Sequence, residues 1–312
     1  MVAQAIAPTV KKRRFDRRAR REARAFYLFI SPWIIGFILF TLGPVIAAAY
    51  FSFTDLQILN IHQGLPNFIG LQNYQELLRD RTFGYALKAT AIWTFGGLTI
   101  NTIVGILLAQ LLNQRIPGLR FFRTVYYMPT VIASVAAGYI WLFMLRTNDG
   151  LFNGILGVLH IQGPDWLGNT ATAPIAFLLY NAWYVGQSTV IYLAALQGVP
   201  TPLYEAASLD GANALWRFWH VALPLISPVI LFNLVIGLIN QLQAFVPAFI
   251  ITQGGPSYST WLYGFSIYQV AFNYQHGGYA AAWSVVLFLF SMLLTVVLFL
   301  GASRFVFYQE GR

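Results

Sequence analysis

The sequence of 312 residues contains no cysteine and very few charged residues. Without thiols the chain can form neither disulfides nor iron–sulfur clusters nor thiolate zinc sites. Only 9% of the residues are charged and 58% are hydrophobic, whereas a soluble domain carries about a quarter charged residues. A chain of this composition cannot cover itself with a wettable surface. The sequence therefore predicts a polytopic membrane protein.

Motifs for metal binding, phosphate binding and catalysis are also missing from the sequence. The four histidines form no HxxxH or HExxH pair, so we expect no metal and no cofactor. There is no GxxxxGK[ST] stretch, and any ATP hydrolysis must therefore take place on another chain. No Ser/His/Asp set is present, and no pair of carboxylates is expected at the bilayer midplane. The chain is not expected to be an enzyme.

The basic residues are concentrated near the N-terminus. Nine of the 19 Lys and Arg residues lie in the stretch KKRRFDRRARREAR, residues 11–24. We interpret residues 1–25 as a basic cytoplasmic tail that anionic lipid attracts. A nucleic-acid-binding arm would also explain the net charge of +9, but the stretch directly precedes an apolar run. Membrane lipid is therefore the expected partner, and nucleic acid is not.

Six apolar runs are each long enough to cross a bilayer, which takes about 20 helical residues. With the N-terminus inside, fifteen of the 19 basic residues fall on the cytoplasmic side, and the positive-inside rule then favours an N-in/C-in topology. The first run is too long for the apolar region of a cleaved signal peptide. We expect an all-α membrane domain over residues 26–312, with six transmembrane helices near 26–53, 86–113, 121–145, 173–197, 225–252 and 279–304.

A polar stretch, EAASLDGANALWRFWHVALPLISPV (205–229), interrupts the apolar sequence between the fourth and fifth predicted spans. Thr201 is expected to cap a short helix, with Glu205 in its first turns. Asp210-Gly211 is typical of a turn. A second helix should follow, and Leu223-Pro224 and Pro228 should then bend the chain into the fifth span.

This cytoplasmic segment, residues 200–224, has the features of a mechanical coupling element. Its alanines permit another body to approach closely, and its second helix carries an apolar stripe at helical spacing, namely Leu215, Phe218, Trp219 and Ala222. Two membrane tethers disfavour a DNA-binding helix-turn-helix. An interfacial loop with its aromatic rings among lipid headgroups remains an alternative on physical grounds.

The same segment resembles the EAA signature of binding-protein-dependent ABC importer permeases. The matching residues are Glu205-Ala206-Ala207, Asp210-Gly211-Ala212, Phe218 and Leu223-Pro224, while Val221 stands where isoleucine is common. SPWIIGFILFTLGPVIAAAYFSFTDL, FIGLQNY, RTVYYMP and ITQGGP extend the resemblance over nearly everything after residue 25. They are typical of the carbohydrate-uptake branch, the first-permease type of the maltose and glycerol-3-phosphate importers.

The resemblance implies a function, a location and a set of partners. The expected function is that of a permease subunit in the plasma (inner) membrane of a bacterium or archaeon. The expected partners are a second homologous permease, a cytoplasmic ABC ATPase dimer and an extracytoplasmic binding protein that delivers a sugar or related polyol. The EAA segment would dock in a groove of the ATPase, with coupling carried by Glu205, Ala206, Ala207, Asp210, Gly211, Ala212, Phe218, Leu223 and Pro224.

Neutral hydrogen-bonding residues stand out in the fourth and fifth spans. Amides in hydrocarbon are costly unless they are paired, so these residues should face protein or a water-filled cavity. In the resembled maltose-type permeases the stretches around 186–189 and 237–244 contribute to the sugar site. Hydrogen bonds to the partner permease are the alternative explanation. The predicted substrate-pathway residues are Asn181, Trp183, Gln187, Thr189, Asn240, Gln241, Gln243 and Phe245.

A self-contained channel or an ion-coupled secondary transporter is the alternative function. The cores of the predicted spans contain no Asp, Glu, Lys or Arg. Proton and sodium relays usually require such residues within the membrane. The composition of the spans therefore disfavours the alternative.

Overall fold

A computed structural model describes residues 17–59, 64–114, 117–302, 304 and 306–307. Residues 1–16 of the predicted basic tail lie outside this part of the chain. The regular secondary structure of the described residues is helical, and the β-type pairing among them is an isolated bridge between Thr54 and Phe68. The all-α fold is thus confirmed for the described part of the chain.

The described α-helices follow one another along the chain with mostly short connections. They are α1 (Arg17–Phe37), α2 (Gly43–Phe51), α3 (Gln72–Arg79), α4 (Arg81–Leu112), α5 (Leu119–Val131), α6 (Ser134–Met144), α7 (Leu151–Val158), α8 (Ala173–Ala182), α9 (Val185–Gln197), α10 (Thr201–Leu209), α11 (Ala214–Arg217), α12 (Leu223–Leu242), α13 (Tyr263–Tyr268) and α14 (Gly277–Ala302). Wider π-helical turns occur at Ile38–Leu42, Phe218–Ala222, Ala248–Thr252 and Gln269–Asn273.

The described part of the chain divides into two compact units, one that ends at Tyr50 and one that begins at Phe51. In the first unit, α1 contains Pro32 and passes through a π-helical turn into α2. The helical run Arg20–Phe51 has 32 residues and is apolar enough to cross a membrane. At about 1.5 Å per residue, it exceeds the hydrocarbon thickness of about 30 Å.

Three further helical runs in the second unit have the length and composition of membrane spans. They are Arg81–Leu112, Ala214–Leu242 and Gly277–Ala302. The helices α5 and α6 meet at a bend of 103° and count as a fifth candidate only if the pair forms one broken span. The predicted fourth span is divided into α8 and α9, which have 10 and 13 residues. The count of six spans therefore stays a prediction.

The prolines at 224 and 228 do not interrupt the helix. Instead, the second helix of the coupling segment runs without a break into the fifth predicted span, from Ala214 to Leu242. Just before Pro224 the helix widens into a π-helical turn, in which the Leu223 amide donates to the Phe218 carbonyl. A π-helical turn changes the local hydrogen-bond pattern, so the proline that follows is accommodated without ending the helix.

The predicted fifth span also ends early. The helix α12 stops at Leu242, and residues 243–245 are non-helical before the π-helical turn at Ala248–Thr252. This break exposes Gln243 and leaves Phe245 half-buried. The change in backbone direction contributes residues 243–247 to the wall of a polar cavity.

The helix α4 lies at the centre of the second unit. It contributes Trp93, Ala86 and Ile106 to three separate buried clusters. Small residues allow its neighbours to come close, because a Cβ atom added at Gly105 would lie 3.2 Å from the ring of Tyr192 on α9. The helix α4 therefore packs into all three buried clusters, and it also lines the polar cavity.

Candidate functional site

The first candidate site is the coupling segment, residues 200–224. Its first helix begins at Thr201, next to an extended Pro200, and has Pro202 in its first turn. Proline at the start of a helix has a suitable φ angle and needs no amide partner. The predicted cap at Thr201 is therefore wrong, and Glu205 lies beyond the first turn with its side chain exposed.

The predicted turn at Asp210-Gly211 is confirmed. Gly211 has a φ of +81°, and the Ala212 amide donates to the Ala207 carbonyl at 2.9 Å. This arrangement is a Schellman motif, which ends a helix at a left-handed glycine. Asp210 is the C-cap residue of α10, where the helix dipole disfavours a negative charge. Its exposed carboxylate is therefore not explained by capping.

Two polar contacts that were not predicted from the sequence hold the coupling segment together. Asn213 caps α11, since its Oδ1 atom accepts from the Trp216 amide at 2.8 Å. Arg217 Nη1 donates to Ser208 Oγ at 2.7 Å and joins α11 to α10. An asparagine just before a helical pattern is a recognised cap signal, so the first contact could have been predicted.

The predicted apolar stripe of the second helix divides between the inside and the outside. Phe218 is 9% exposed and Ala222 is 1% exposed, and both pack in a cluster with Tyr192. By contrast, Leu215 and Trp219 are exposed. Half of the stripe therefore anchors the segment to the bundle, and the other half is free to contact a partner.

The same division applies to the nine predicted coupling residues. Ala207 and Phe218 are buried, whereas Ala212 is half-buried. Leu223 and Pro224 are half-buried and line an apolar cleft of about 850 Å³. Tyr204 packs against the same buried cluster as Leu223, and this partial burial raises the pKa of its hydroxyl, while the nearby Arg217 opposes that shift. The exposed members of the set are Glu205, Ala206, Asp210 and Gly211.

The second candidate site is a cavity of about 530 Å³ between α4, α8, α9 and α12. We call it the amide cavity, because seven Asn and Gln side chains line it: Asn101, Asn181, Gln187, Asn233, Asn240, Gln241 and Gln243. Six predicted pathway residues line the cavity: Asn181, Gln187, Asn240, Gln241, Gln243 and Phe245. The helix break after Leu242 brings Gln243 and Phe245 to it.

Two predicted pathway residues lie away from the cavity. The ring of Trp183 packs against Trp141, with ring centroids 5.9 Å apart, in an aromatic cluster. Thr189 is buried, and its hydroxyl donates to the Val185 carbonyl one turn earlier at 2.9 Å. Thr189 lies on a face of α9 that does not border the cavity, and Trp183 lies in the break between α8 and α9.

Three of the cavity amides form a ladder across three helices. Asn101 on α4 donates through Nδ2 to Asn181 Oδ1 on α8 at 2.6 Å. Asn181 then donates through Nδ2 to Gln241 Oε1 on α12 at 2.8 Å. Asn181 is 5% exposed, so the ladder supplies the hydrogen bonds that a buried amide requires.

A glycine provides the space for this ladder. A Cβ atom added at Gly97 would lie 2.7 Å from Asn181 Nδ2 and 2.8 Å from Gln241 Nε2. Real Cβ atoms do not approach other atoms so closely. Asn101 and the role of Gly97 were not predicted from the sequence, although a lone asparagine within an apolar span is itself a signal of a buried polar contact.

The described residues contain no group of three or more His, Asp or Glu side chains that could hold a metal ion. The described side chains that line the amide cavity carry no charge either. The cavity can therefore donate and accept hydrogen bonds, but it offers no charged group to a ligand.

The chain has several apolar helices around an uncharged polar cavity. This combination is that of a membrane-embedded transport component. The sequence matches the family of binding-protein-dependent transport system inner membrane components over residues 101–307. The chain belongs to that family, whose members are permease subunits of ABC transporters and not enzymes themselves.

Individual relatives match most of the chain. It is 37% identical over 300 residues to the probable ABC transporter permease protein YesP of Bacillus subtilis (strain 168), covering 95% of this chain and 96% of that protein. It is 32% identical to the trehalose/maltose transport system permease protein MalF of Thermococcus litoralis, covering 91% and 95% of the two chains.

A solved structure shares the fold. A bacterial alginate ABC transporter, crystallised with an alginate pentasaccharide-bound periplasmic protein, contains a chain that superposes with a TM-score of 0.76. The alignment covers 93% of this chain and 96% of that one, at 23% sequence identity. At that identity the likeness concerns the fold alone.

Proposed function

We propose that the chain is the permease subunit of an ATP-driven importer and forms half of the path for a sugar or related polyol. The observation that carries the proposal is the amide cavity, whose uncharged donors and acceptors suit hydroxyl groups. Membership of the binding-protein-dependent family supports import. The Thermococcus litoralis relative is named for trehalose and maltose transport, which supports a carbohydrate.

The proposed importer contains other chains. A second homologous permease completes the path, and an extracytoplasmic binding protein delivers the solute. A cytoplasmic ABC ATPase dimer supplies the energy, because this sequence has no phosphate-binding loop. The exposed residues of the coupling segment, with Leu215 and Trp219 beside them, are the surface that meets the ATPase.

The proposed topology has six spans with both termini inside, in the inner membrane of a bacterium or archaeon. Four runs and the bent α5–α6 pair supply five spans. The sixth is α8 followed by α9, a span interrupted at Trp183-Tyr184. Breaks of this kind within a membrane are tolerated where the backbone lines a cavity, and Tyr184 lines the amide cavity.

The continuous helix Ala214–Leu242 gives the coupling segment a direct connection to the cavity. Its 29 residues correspond to a length of about 40 Å. One end carries the exposed Trp219, and the other carries Asn240 and Gln241 in the cavity wall. Closure of the ATPases would move one end of this helix, and the helix would transmit the movement to the solute-binding residues.

Within this mechanism the predicted pathway residues have two roles. We assign solute contact to the six that line the amide cavity, and packing support to Trp183 and Thr189. Glu205 and Ala206 would meet the ATPase directly, while Ala207 and Phe218 would hold the coupling segment against the bundle.

Reversing or adding charge on the coupling segment tests this function. We expect Glu205→Lys or Gly211→Asp to abolish solute uptake by cells that contain the whole importer. Both positions are exposed, so insertion and abundance in the membrane should stay normal, and immunoblotting of membranes provides the control. Normal uptake at normal abundance would contradict the coupling role. Uptake without any ATPase would favour the alternative, a channel or ion-coupled carrier.

A further inference from the structure

An apolar groove runs along α4, α12 and α14. It consists of the cleft of about 850 Å³ beside the coupling segment and a neighbouring cleft of about 430 Å³. The two clefts are continuous, because five residues line both: Thr102, Ile103, Leu234, Val297 and Leu298. On α12 the lining extends from Leu223 to Leu238, about 22 Å at 1.5 Å per residue. The groove is thus longer than one bilayer leaflet is deep, since half of the hydrocarbon core is about 15 Å.

The hydroxyl groups in the groove are few. Three lining residues carry one, namely Thr99, Thr102 and Ser227. The Thr99 hydroxyl donates to the Phe95 carbonyl at 2.7 Å, and the Ser227 hydroxyl donates to the Pro224 carbonyl at 2.6 Å. Two of the three groups therefore already bond within the protein. Such a lining suits hydrocarbon, which needs no hydrogen bonds, better than a polar solute.

Exposed side chains form the rim of the groove. Phe95 and Ile103 on α4 and Val297 on α14 line it, and each is more than half exposed. All three lie within helical runs that are apolar enough to cross a membrane. The groove therefore opens towards the space that lipid chains fill around a membrane-spanning helix.

The end of the groove at the coupling segment combines an aromatic ring with a positive charge. Trp219 lines this end, and tryptophan is enriched where hydrocarbon meets lipid headgroups. The exposed Arg304 lies in the turn after α14, between the lining residues Ala302 and Val306. The described residues that line the groove include no Asp or Glu. The charge at this end therefore complements an anionic headgroup.

Two contacts hold the turn of Arg304 against the start of α12. The Phe307 amide donates to Ser227 Oγ at 2.9 Å, and Val306 packs against a buried cluster that contains Leu231. The other basic residue near this end, Arg217, is joined to Ser208 instead. Arg304 is therefore the cation that the fold places at the groove.

Using the membrane topology of the proposed function, we propose that the groove binds a phospholipid of the cytoplasmic leaflet that has an anionic headgroup. Its acyl chains lie along α12, and its headgroup meets Arg304. Phe218, Leu223 and Pro224 belong both to the groove wall and to the coupling segment. The bound lipid therefore packs against the coupling segment and stabilises its position on the bundle.

Photo-crosslinking tests the identity of the lipid. The purified complex that contains the full chain is placed in phosphatidylcholine nanodiscs. A small share of the lipid carries a diazirine in one acyl chain and is either phosphatidylglycerol or phosphatidylcholine. After irradiation, mass spectrometry measures the labelling of residues 223–238 and 294–302. We expect phosphatidylglycerol to label them about five times more, since fivefold corresponds to about 1 kcal/mol, the attraction of one basic residue for anionic lipid.

Two pairs of variants separate the groove from general lipid contact. Val297→Trp fills the groove, whereas Val296→Trp adds the same ring at the neighbouring exposed position outside it. We expect Val297→Trp to lower labelling by both lipids about fivefold or more, and Val296→Trp to leave it unchanged. Arg304→Gln should remove the preference for phosphatidylglycerol. Arg79→Gln should retain it, because Arg79 is exposed just before the opposite end of α4.

Three results would overturn the proposal. The first is equal labelling by the two lipids in the unmodified chain. The second is labelling that Val297→Trp does not reduce. The third is the absence of lipid label from both segments, which would indicate that another protein chain covers the groove.

A stability measurement tests the link to the coupling segment. A ligand that binds the folded state raises the unfolding temperature. We expect phosphatidylglycerol in the nanodiscs to raise the unfolding temperature of the unmodified complex and of Val296→Trp, but not that of Val297→Trp or Arg304→Gln. An equal rise in all four would contradict the proposal. Neither measurement requires ATP, solute or transport, so both judge the lipid site even if the proposed function fails its own test.

Discussion

At the scale of single residues, the polar interior of this protein depends on amides and on the glycine beside them. The ladder from Asn101 through Asn181 to Gln241 joins three helices with two short hydrogen bonds. It exists because Gly97 leaves room for two amide groups next to the backbone of α4. The ladder and the glycine are therefore one structural unit.

Alanine at position 97 should disrupt the ladder. The added Cβ atom would lie 2.7 Å from Asn181 Nδ2, and overpacking of this kind costs about 1–3 kcal/mol. We expect Gly97→Ala to lower the thermal unfolding temperature of the purified importer and to reduce uptake. Gly84→Ala is the control on the same helix, since its Cβ atom would meet nothing within 4 Å. Equal behaviour of the two variants would contradict the role of Gly97.

The sequence predicted part of this residue-scale arrangement. Gln187, Asn240 and Gln241 were identified because amides are rare and costly within apolar spans. Trp183 and Thr189 were predicted as pathway residues because they are neutral hydrogen-bonding side chains of the fourth span, but the fold packs both away from the cavity. The pairing of Asn101 with Asn181 spans 80 residues, and helical periodicity cannot predict a contact between distant segments.

At the scale of elements, the coupling segment consists of a short helix, a glycine turn and the first turns of a long helix. The sequence predicted the turn, because Asp-Gly tolerates unusual backbone angles. It did not predict the continuity of Ala214–Leu242, because two prolines normally indicate a bend. The π-helical turn at Phe218–Ala222 arises from backbone geometry that has no clear sequence signal.

The left-handed conformation of Gly211 gives a graded prediction for the turn. A β-branched residue in this conformation is strained by about 1–2 kcal/mol or more, whereas asparagine adopts it readily. Since a Cβ atom at Gly211 would meet nothing within 4 Å, the strain comes from the backbone alone. We expect Gly211→Val to reduce uptake and Gly211→Asn to retain it. Loss of uptake in both variants would show that any side chain at position 211 prevents contact with a partner.

Phe218 and Trp219 are neighbours with opposite environments. Truncating buried Phe218 should cost about 3–5 kcal/mol, which lowers the thermal unfolding temperature and the abundance of Phe218→Ala. Trp219 is 55% exposed, so Trp219→Ala should fold normally. In an importer that contains this variant, solute-loaded binding protein should stimulate the ATPase activity less than in the unmodified importer. If Trp219→Ala lowered the unfolding temperature but left the ATPase fully stimulated, the division of the stripe into an inner and an outer half would be wrong.

At the scale of the whole molecule, this chain holds the proposed solute-binding surface and the proposed coupling surface, and its sequence contains no phosphate-binding loop. The two surfaces lie at opposite ends of one helix, Ala214–Leu242. The composition of the sequence predicted membrane insertion and an all-α fold. Identification as a transport component of the binding-protein-dependent family agrees with that prediction.

Reconstitution into liposomes tests the central claim most directly. Vesicles are prepared with this chain alone, with the permease pair and ATPases, and with the full set plus binding protein, each with and without ATP on the ATPase side. We predict accumulation of a neutral sugar only with the full set and ATP. Accumulation by this chain alone, or without ATP, would contradict the assignment as a permease subunit of an ATP-driven importer.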